Sequence, residues 1–467
     1  MRTMPVSAHR AAPDSPGPEP SAPGFFLVIA PRPKHEKPVI PPGPHMLARL
    51  FLLLSIFLAA PAAAQTIVVH AGHLITDPAL PEAGPSTITI VDGKITGVAA
   101  GLIPPKPGAT LVDLSARTVL PGLIDAHVHF TSMPGEAFWR QAVDSDEWAT
   151  LVGAHNALVT LRAGFTTVRD LGSGKLNGFA LRDAIALGLI PGPRMLAAGQ
   201  PLSVIGGHGD VSGFRPEVME ALDGHNICTG ADQCAARVRE AAKLGAEVIK
   251  FHATGGVLSQ GDKSLGQAFT DAEMRAIIDT AHSLGLKVAA HAHADAGIAA
   301  AVRAGVDSIE HGTFASAATV RLMKERGTVM VPTLMAFTGI RERLGKGIYT
   351  PIVEEKVRMT LNEVGKAARL ARAAGVPIVF GTDAGVYEHG RNAGEFALLV
   401  DLVGMSPAEA LATATTGAAR LLGLDNQVGR IAPGYSADLI AVDGDPLSDV
   451  HRLEHVVYVM ARGRPAP

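Results

Sequence analysis

Eight short apolar runs recur along the middle of the chain and alternate with stretches of helical character. The runs are Thr118–Ile124, Phe165–Arg169, Arg194–Ala198, Glu247–Ile249, Lys287–Ala290, Asp307–Ile309, Val329–Pro332 and Ile378–Phe380. Repeated strand–helix units favour a parallel sheet with helices packed against it. Eight units predict an α/β fold, a (β/α)8 TIM barrel over about residues 119–425. An open doubly wound sheet is the alternative, but no Gly-x-Gly-x-x-Gly follows the first run.

Two helix starts inside this region are marked by capping boxes. Thr270 is followed by Glu273 at the third position, and Ser406 is followed by Glu409 in the same way. In such a box each of the two side chains satisfies a backbone N–H at the start of the helix. Both segments are therefore predicted to begin helices of the strand–helix repeat.

Both flanks of the middle region are predicted to form short strands. On the N-terminal flank, residues 66–118, Asp92-Gly93 separates alternating apolar residues, which is a strong hairpin signal. The C-terminal flank, residues 426–465, contains strand-like runs at Asp438–Val442 and His455–Met460. We therefore expect both ends of the mature chain to join in one small β-sandwich domain.

The first 64 residues have the character of processing sequence. Residues 1–45 contain 12 of the 33 prolines and no clear periodicity, which predicts a disordered or non-native extension. Residues 46–64 begin at Met46 with a short positive region and continue with an apolar run and small residues, a signal-peptide pattern with cleavage after Ala64. The apolar run is too short for a membrane span. A periplasmic or secreted protein is expected; the alternative is a cytosolic protein with an apolar tail.

The composition of the chain limits the kinds of partner that the protein could bind. The formal net charge of this 467-residue chain is −3 and no basic stripe is present, which argues against binding to nucleic acid. Only two cysteines occur, Cys228 and Cys234, and in an exported protein they could form a local disulfide. Their spacing alone also allows two free thiols. No sustained heptad pattern marks an interface, so the oligomeric state, a homo-oligomer included, is left open.

Histidine, lysine and aspartate side chains follow several of the apolar runs. They are His127 and His129 in Asp125-Ala126-His127-Val128-His129, then Lys250, His291, His311 and Asp383. In a TIM barrel the carboxyl ends of the strands form one face, where active sites lie. Neutral imidazole and carboxylate are good ligands for a divalent metal. The pattern predicts a metal-dependent hydrolase, in which Asp383 could also accept a proton from bound water.

Lys250 requires a separate explanation, because an ammonium group at the end of a buried strand would repel a metal. Burial lowers the pKa of a lysine. The neutral amine can then take up CO2 and form a carbamate, an anionic ligand able to bridge two cations. Two cations about 3.5–4 Å apart could together activate one water and polarise a carbonyl. The alternative is a structural ion pair between Lys250 and a carboxylate of the barrel.

These residues resemble the amidohydrolase superfamily. The resemblance covers about residues 66–465 and rests on Pro121–His129, Lys250, His291, His311, Gly381-Thr382-Asp383 and the C-terminal run 434–440. It implies two divalent metal ions, usually zinc, with carboxylated Lys250 between them. His127, His129 and Asp383 would hold one metal, and His291 and His311 the other.

Two shorter stretches resemble a narrower group within the superfamily. They are residues 249–256, which end in Gly255-Gly256, and Gly206-Gly207-His208-Gly209. That group is similar to imidazolonepropionases and contains dipeptidases of the Xaa-Pro and Xaa-Arg type and ochratoxin hydrolases. It implies hydrolysis of an amide in dipeptides or N-acyl amino acids by a metal-bridging hydroxide, with Asp383 passing the proton to the leaving amine.

Substrate contacts are predicted at two further histidines. His208 lies in a glycine-rich loop after the third strand, where it could donate to the oxyanion or be an ordinary loop residue. His293 shares a face with His291 and could meet the substrate carboxylate, although relatives often carry tyrosine near this position. His252 is expected to point away from Lys250 and to pack in the core.

Two rival functions fit parts of the pattern. A mononuclear deaminase or cyclic-amidine hydrolase on the same fold would lack the bridging lysine, so Lys250 argues against it. A catalytically inactive barrel that only binds a ligand would be expected to have lost a metal ligand, and every expected ligand is present in the chain.

Overall fold

A computed structural model describes residues 65–135, 138–260 and 265–467. The predicted N-terminal extension and signal peptide lie outside these residues. Fourteen strands are described: β1 (Thr66–Leu74), β2 (Ser86–Val91), β3 (Lys94–Ala100), β4 (Thr110–Pro121), β5 (Leu123–Val128), β6 (Phe165–Asp170), β7 (Arg194–Ala197), β8 (Val248–His252), β9 (Lys287–Ala292), β10 (Ser308–His311), β11 (Val329–Val331), β12 (Leu439–Val442), β13 (Val456–Ala461) and β14 (Arg464–Pro465).

Helices separate most of the inner strands. In the described residues they are α1 (Asp146–Arg162), α2 (Asn177–Ala186), α3 (Pro216–Ala221), α4 (Ala231–Leu244), α5 (Asp271–Ser283), α6 (Asp295–Ala304), α7 (Ala317–Arg326), α8 (Leu334–Arg343), α9 (Pro351–Leu361), α10 (Lys366–Ala374), α11 (Gly394–Asp401), α12 (Pro407–Ala412) and α13 (Ala418–Leu422). Both predicted capping boxes are confirmed, at the starts of α5 and α12. Within the described residues, no helix combines the length and apolar character needed to cross a bilayer.

The two ends of the described chain meet in one seven-stranded sheet. Its strand order is β14-β13-β12-β4-β1-β2-β3, and the N-terminal and C-terminal strands meet where β4 pairs antiparallel with β12. Ile67, Val69, Ile88, Ile90 and Met460 are among the buried side chains of its apolar core. The hairpin predicted at Asp92-Gly93 is confirmed: both residues have positive φ, and Val91 pairs with Lys94 across the turn.

The inner strands form two parallel sheets. One has the order β5-β6-β7 and the other the order β11-β10-β9-β8, and every pairing in them is parallel. Isolated bridges link the two sheets on both sides: Leu202 pairs with Phe251 on one side, and Met330 with Ile378 and Val128 with Ala384 on the other. The chain therefore has an α/β fold in which the described inner strands, β5 to β11, all run in the same direction.

Two of the predicted strands differ from the structure. The run Thr118–Ile124 is divided at Gly122: its first part ends β4 and pairs with β12, and its second part begins β5. An apolar run alone carries no information about which sheet each half joins. The run Ile378–Phe380 has only isolated backbone contacts, which include the Ala126 N–H donating to the Phe380 carbonyl at 3.0 Å.

The two cysteines form a disulfide between Cys228 and Cys234, which decides the pairing that the sequence left open. Both are fully buried. Cys228 ends the long segment that follows β7, and its N–H donates to the Ser203 carbonyl at 3.0 Å. The disulfide thus fastens the far end of that segment, which carries His208, to helix α4.

Candidate metal centre

Three predicted ligands converge at the carboxyl end of β5. The Nε2 atoms of His127 and His129 are 3.3 Å apart, and the Asp383 carboxylate lies 3.4 Å from the first and 3.2 Å from the second. We call these three residues the aspartate cluster. The Asp383 backbone N–H donates to the His127 carbonyl at 2.7 Å, so backbone pairing brings the two segments together across 256 positions of sequence. Burial would raise the pKa of Asp383, but the charges of His127 and His129 outweigh it and hold the pKa well below its usual range.

Lys250 joins this cluster from β8. Its Nζ lies 3.4 Å from His127 Nε2, and the side chain is almost completely buried. Burial lowers the pKa of Lys250 to about 8, although the Glu310 and Asp383 charges act in the opposite direction. A buried amine with a lowered pKa is neutral more often than a surface lysine is. The neutral amine is the form that reacts with CO2.

A buried ion pair between Glu310 and Arg169 contacts the Nδ1 side of His127. Glu310 on β10 accepts from His127 Nδ1 at 2.8 Å and from the Arg169 guanidinium at 2.9 Å. Burial would raise the pKa of Glu310, but the Arg169 charge and the His127 hydrogen bond outweigh it and lower the pKa to about 2. A carboxylate that accepts from Nδ1 orients the imidazole and leaves Nε2 free to bind a metal.

Three more imidazoles form a second group at the ends of β9 and β10. The ring centroids of His291, His293 and His311 are 4.7 to 4.9 Å apart, and one ligand atom from each lies within 4.8 Å of the others. We call them the histidine cluster. Nδ1 of His293 is 2.8 Å from the Thr313 hydroxyl, and Nδ1 of His311 is 2.6 Å from the Thr333 hydroxyl.

Backbone strain is concentrated at these clusters. Six non-glycine residues of the described chain have positive φ, and three of them are His311 (φ 70°), Thr333 (φ 50°) and Asp383 (φ 61°). Such conformations cost roughly 1–3 kcal/mol each and persist only where the surroundings hold them. The Thr333–His311 contact and the Asp383–His127 backbone bond are two of the interactions that do so here.

Both clusters line one cavity of about 210 Å³. Six apolar side chains line the same cavity: Val257, Leu258, Ala336, Phe337, Ile340 and Val386. We call these six residues the apolar wall. Three of the six, Ala336, Phe337 and Ile340, belong to α8, whose first N–H groups donate to the buried Glu395 carboxylate at 2.7 and 2.9 Å. The cavity thus combines polar side chains that could bind a metal with apolar side chains suited to an apolar substituent.

His208 lines the same cavity. Its ring stacks on His291 with a centroid distance of 4.4 Å, and its Nδ1 lies 2.5 Å from the Ser259 hydroxyl. Lys356 on α9 donates to the carbonyls of Gly256 and Ser259 at 2.7 and 2.9 Å and so holds the loop that carries this serine. A Cβ on Gly256 would lie 2.1 Å from His208 Nδ1, which explains the glycine at this position.

The prediction for His252 was wrong. Side chains two positions apart on a strand share a face, so His252 points to the same side of β8 as Lys250. It lines the cavity, and its ring centroid is 4.7 Å from that of His208. The Asp125 carboxylate accepts from the side chains of Thr382 at 2.6 Å and Asn392 at 2.8 Å.

Sequence reasoning missed the residues that support the ligands. These are Arg169, Glu310, Thr313, Thr333, Ser259, Lys356 and the apolar wall. One of them had a readable signal, because Ser308 and Glu310 alternate on β10 and the second directly precedes His311. The others are linked to the site only by contacts between distant segments.

The donor set fits divalent cations. Imidazole nitrogen and carboxylate oxygen are ligands that zinc accepts, as do several transition metals. Besides the histidine cluster, His127, His311 and Asp383 bring one ligand atom each within 4.8 Å of the others. His291 Nε2 is fully buried and has no hydrogen-bond partner in the described part of the chain. A buried, unpaired nitrogen of this kind is costly unless something binds it.

The family of the chain follows from a comparison with known proteins. The model of the amidohydrolase family matches residues 118–466, which include every residue of both clusters and Lys250. The chain belongs to this family. Members are generally metal-dependent, so the family and the donor set agree on the kind of site.

Three relatives show which kinds of amidohydrolase this chain is similar to. It is 30% identical over 414 residues to an ochratoxinase of Aspergillus niger, with 83% of each chain covered. It is 29% identical over 367 residues to an imidazolonepropionase of Paracoccus denitrificans, covering 72% of this chain and 81% of the relative. A solved Xaa-Pro dipeptidase is 36% identical with a TM-score of 0.78, covering 86% of this chain and 99% of that one. These relatives confirm the narrower group suggested by the sequence and support hydrolysis of C–N bonds.

Proposed function

We propose that this amidohydrolase cleaves the amide bond of dipeptides or N-acyl amino acids in a metal-dependent reaction. The observation that carries the proposal is the aspartate cluster, in which a carboxylate and two imidazoles converge within 3.4 Å on one side of a cavity. The apolar wall of the same cavity is suited to the side chain or acyl group of such a substrate. Similarity to an ochratoxinase and to a dipeptidase with methionine in its active site supports the same substrate class.

The fold proposed for this activity is a closed (β/α)8 barrel beside a small β-sandwich domain. The bridges on both sides of the two parallel sheets support closure, with the segment of Ile378–Phe380 as the eighth strand. The separate apolar core of the seven-stranded sheet supports the second domain. In a closed barrel all of the ligand-bearing strand ends would face the same opening.

The proposed cofactors are two divalent cations, and zinc is the metal proposed for both. His127, His129 and Asp383 would hold one cation, His291 and His311 the other, and Lys250 would contribute as a carbamate. Bound divalent cations supply Lewis acidity, which lowers the pKa of water and polarises a carbonyl. The Lys250 amine, 3.4 Å from His127 Nε2, lies close enough for its carbamate to reach the aspartate cluster.

The residues around the cations have separate roles. Asp383 would accept the proton of the attacking water and deliver it to the leaving amine, so that the amine departs neutral. His208 would donate to the developing negative charge on the carbonyl oxygen. Because Ser259 occupies its Nδ1, Nε2 is the nitrogen available to the substrate. His293 lines the same cavity and would meet the substrate carboxylate or support the neighbouring ligands.

We further propose that the protein is exported to the periplasm or outside the cell. The predicted signal peptide from Met46 to Ala64 is one support for this location. The disulfide between Cys228 and Cys234 is another, because disulfides persist mainly in oxidising compartments. Mass spectrometry of the N-terminus of the exported protein tests the idea: a mature chain that begins at Gln65 is expected.

The activity is tested with a substrate panel of Xaa-Pro, Xaa-Arg and N-acyl-Phe amides on the metal-loaded mature protein, with metals counted by mass spectrometry. Amide cleavage with two cations bound is the expected result. Asp383→Asn, prepared in parallel, is the control for contaminating peptidases. Full loading without cleavage of any panel member would contradict the proposal. One cation together with ammonia release from ring substrates would point to a deaminase.

A further inference from the structure

Phe337 on α8 is a large buried side chain to which the proposed function gives no role of its own. The residue is only 4% exposed and lines the cavity of the candidate metal centre. Its neighbour Ile340 packs in an apolar cluster with Val353 and Val357. Phe337 belongs to none of the apolar core clusters in the described part of the chain. Its ring is therefore placed to contact a ligand in the cavity and not to fill a core.

A second, much smaller cavity adjoins this ring. Its volume is about 10 Å³, which gives room for about one water molecule. Within the described part of the chain, Phe337 and His311 line both cavities. Five apolar side chains also line the small cavity: Pro332, Leu334, Val364, Ala367 and Ala368. The Phe337 ring thus lies between the two cavities, and its removal would join them into one larger site with an apolar end.

Contacts along the whole of α8 hold the ring in place. At the start of the helix, the buried Glu395 carboxylate accepts from the first two N–H groups. In the middle, a Cβ on Gly339 would lie 2.5 Å from Tyr387 Cβ, so the helix is in close contact with the segment that follows Asp383. At its end, the Arg343 guanidinium donates to a carboxylate oxygen of Glu388 at 2.6 Å. A wall fixed in this way selects its ligands by size, because it cannot move aside.

We propose that Phe337 sets the upper size limit for the side chain of the C-terminal amino acid, the one that leaves as the amine. The inference rests on the proposed function and deepens it by naming the part of the substrate that is selected. His293 is proposed to meet the substrate carboxylate, and its ring centroid lies 6.4 Å from that of Phe337. The carboxylate and the side chain of an amino acid share one Cα. A side chain beside a carboxylate bound at His293 is therefore close enough to contact Phe337.

The effect of this ring on selectivity should be large. One methylene more or less in an apolar pocket changes kcat/KM by roughly 10- to 200-fold. Phe337→Ala removes the whole ring and also opens the small cavity, so the space gained exceeds that of one methylene. Substrates with a large C-terminal side chain should gain from this space, whereas those with a small one should lose a contact or stay unchanged.

The test measures kcat/KM of the metal-loaded mature protein for N-acetyl-Ala, N-acetyl-Leu, N-acetyl-Phe and N-acetyl-Trp. Phe337→Ala should raise the ratio of N-acetyl-Trp to N-acetyl-Ala by at least about 100-fold, and Phe337→Leu by about tenfold. Phe179→Ala is the matched control: it truncates another buried phenylalanine, which lines a different cavity, and the ratio should stay that of the wild type. Metal counting on the same preparations should give equal cation content.

A ratio that Phe337→Ala leaves unchanged would overturn the inference. So would a gain seen only with N-acyl-Ala substrates of increasing acyl length, because the ring would then face the acyl side. If circular dichroism shows that Phe337→Ala is unfolded, the ratio for Phe337→Leu decides. Failure of the proposed function is seen separately, as a wild type that cleaves no amide. Calorimetry with free tryptophan and alanine then decides the inference: Phe337→Ala should favour tryptophan relative to the wild type, and an unchanged preference would contradict it.

Discussion

The two clusters of the candidate metal centre hold their imidazoles by different means. In the aspartate cluster the partners carry charge: His127 donates to Glu310, which is paired with Arg169, and Asp383 lies beside both imidazoles. In the histidine cluster the partners are the neutral hydroxyls of two threonines. The first therefore depends on a network of charges, and the second on the number and packing of imidazoles.

This difference predicts different responses to substitution. Removal of one member of a buried charged network leaves another charge uncompensated, which costs several times more than loss of a neutral hydrogen bond. Asp383, the group proposed to transfer the proton, belongs to this charged network. Substitutions in the aspartate cluster are therefore expected to affect mainly turnover, and substitutions in the histidine cluster mainly cation binding.

Lys250→Ala should have the largest effect, because Lys250 is the group proposed to join the two clusters. Turnover is expected to fall by about ten-thousandfold, the upper end of the contribution of one catalytic group. Steady-state rates with and without propionate measure this, since a free carboxylate could occupy the space of the carbamate. Acetamide, neutral and of similar size, is the control. Wild-type turnover with two cations bound would contradict a bridging role.

Asp383→Asn should follow, with a loss of about a thousandfold in kcat. The amide oxygen can still face a cation but cannot accept a proton, so cation content should stay near that of the wild type while turnover falls. Kinetics and metal counting on the same preparation separate the two properties. Near-normal kcat would exclude Asp383 as the group that transfers the proton.

The grouping of the candidate ligands could be predicted because each follows an apolar run, and parallel strands bring their carboxyl ends together. The sequence alone thus indicated that His127, Lys250, His291 and His311 would lie near one another, and all four line one cavity. The contact of Asp383 with His127 then follows from pairing of the first and last segments. These features require only the strand pattern and its direction.

The supporting residues could not be found in the same way. Arg169 and Glu310 are 141 positions apart, and although Glu310 directly precedes His311, nothing in the sequence indicates that it pairs with Arg169. Half of the apolar wall belongs to α8, whose side chains resemble those of any buried helix. Only the three-dimensional packing shows that Phe337 and Ile340 also line the cavity that holds the candidate ligands.

Glu310→Gln tests the charged support of the aspartate cluster. It keeps the shape but leaves Arg169 without its counter-charge, so the free energy of unfolding should fall by about 3 kcal/mol. Affinity for the cation at His127 should fall by about 10- to 100-fold. Denaturant unfolding of the metal-free protein and chelator competition measure the two effects. A fully stable variant would mean that the ion pair contributes no net stability.

The same variant has a pH signature. Because the pKa of Glu310 is lowered to about 2, its ionisation stabilises the folded state above its ordinary pKa of 4.5, and this stabilisation is lost as the pH falls through about 2. The difference in unfolding free energy between wild type and Glu310→Gln should therefore be larger at pH 7 than at pH 3. A difference that grows as the pH is lowered would contradict the sign of the shift.

Thr333→Val should have the smallest effect and completes the comparison. It removes the hydroxyl beside His311 Nδ1 while keeping a β-branched side chain at this strained backbone position. Loss of one neutral hydrogen bond is worth about 1 kcal/mol, or about fivefold in cation affinity. Thr333→Ser keeps the hydroxyl and should bind like the wild type. If Thr333→Val weakened binding as much as Glu310→Gln, the two clusters would not differ in the way that their partners indicate, and orientation of the ring would matter more than the charge of the group that orients it.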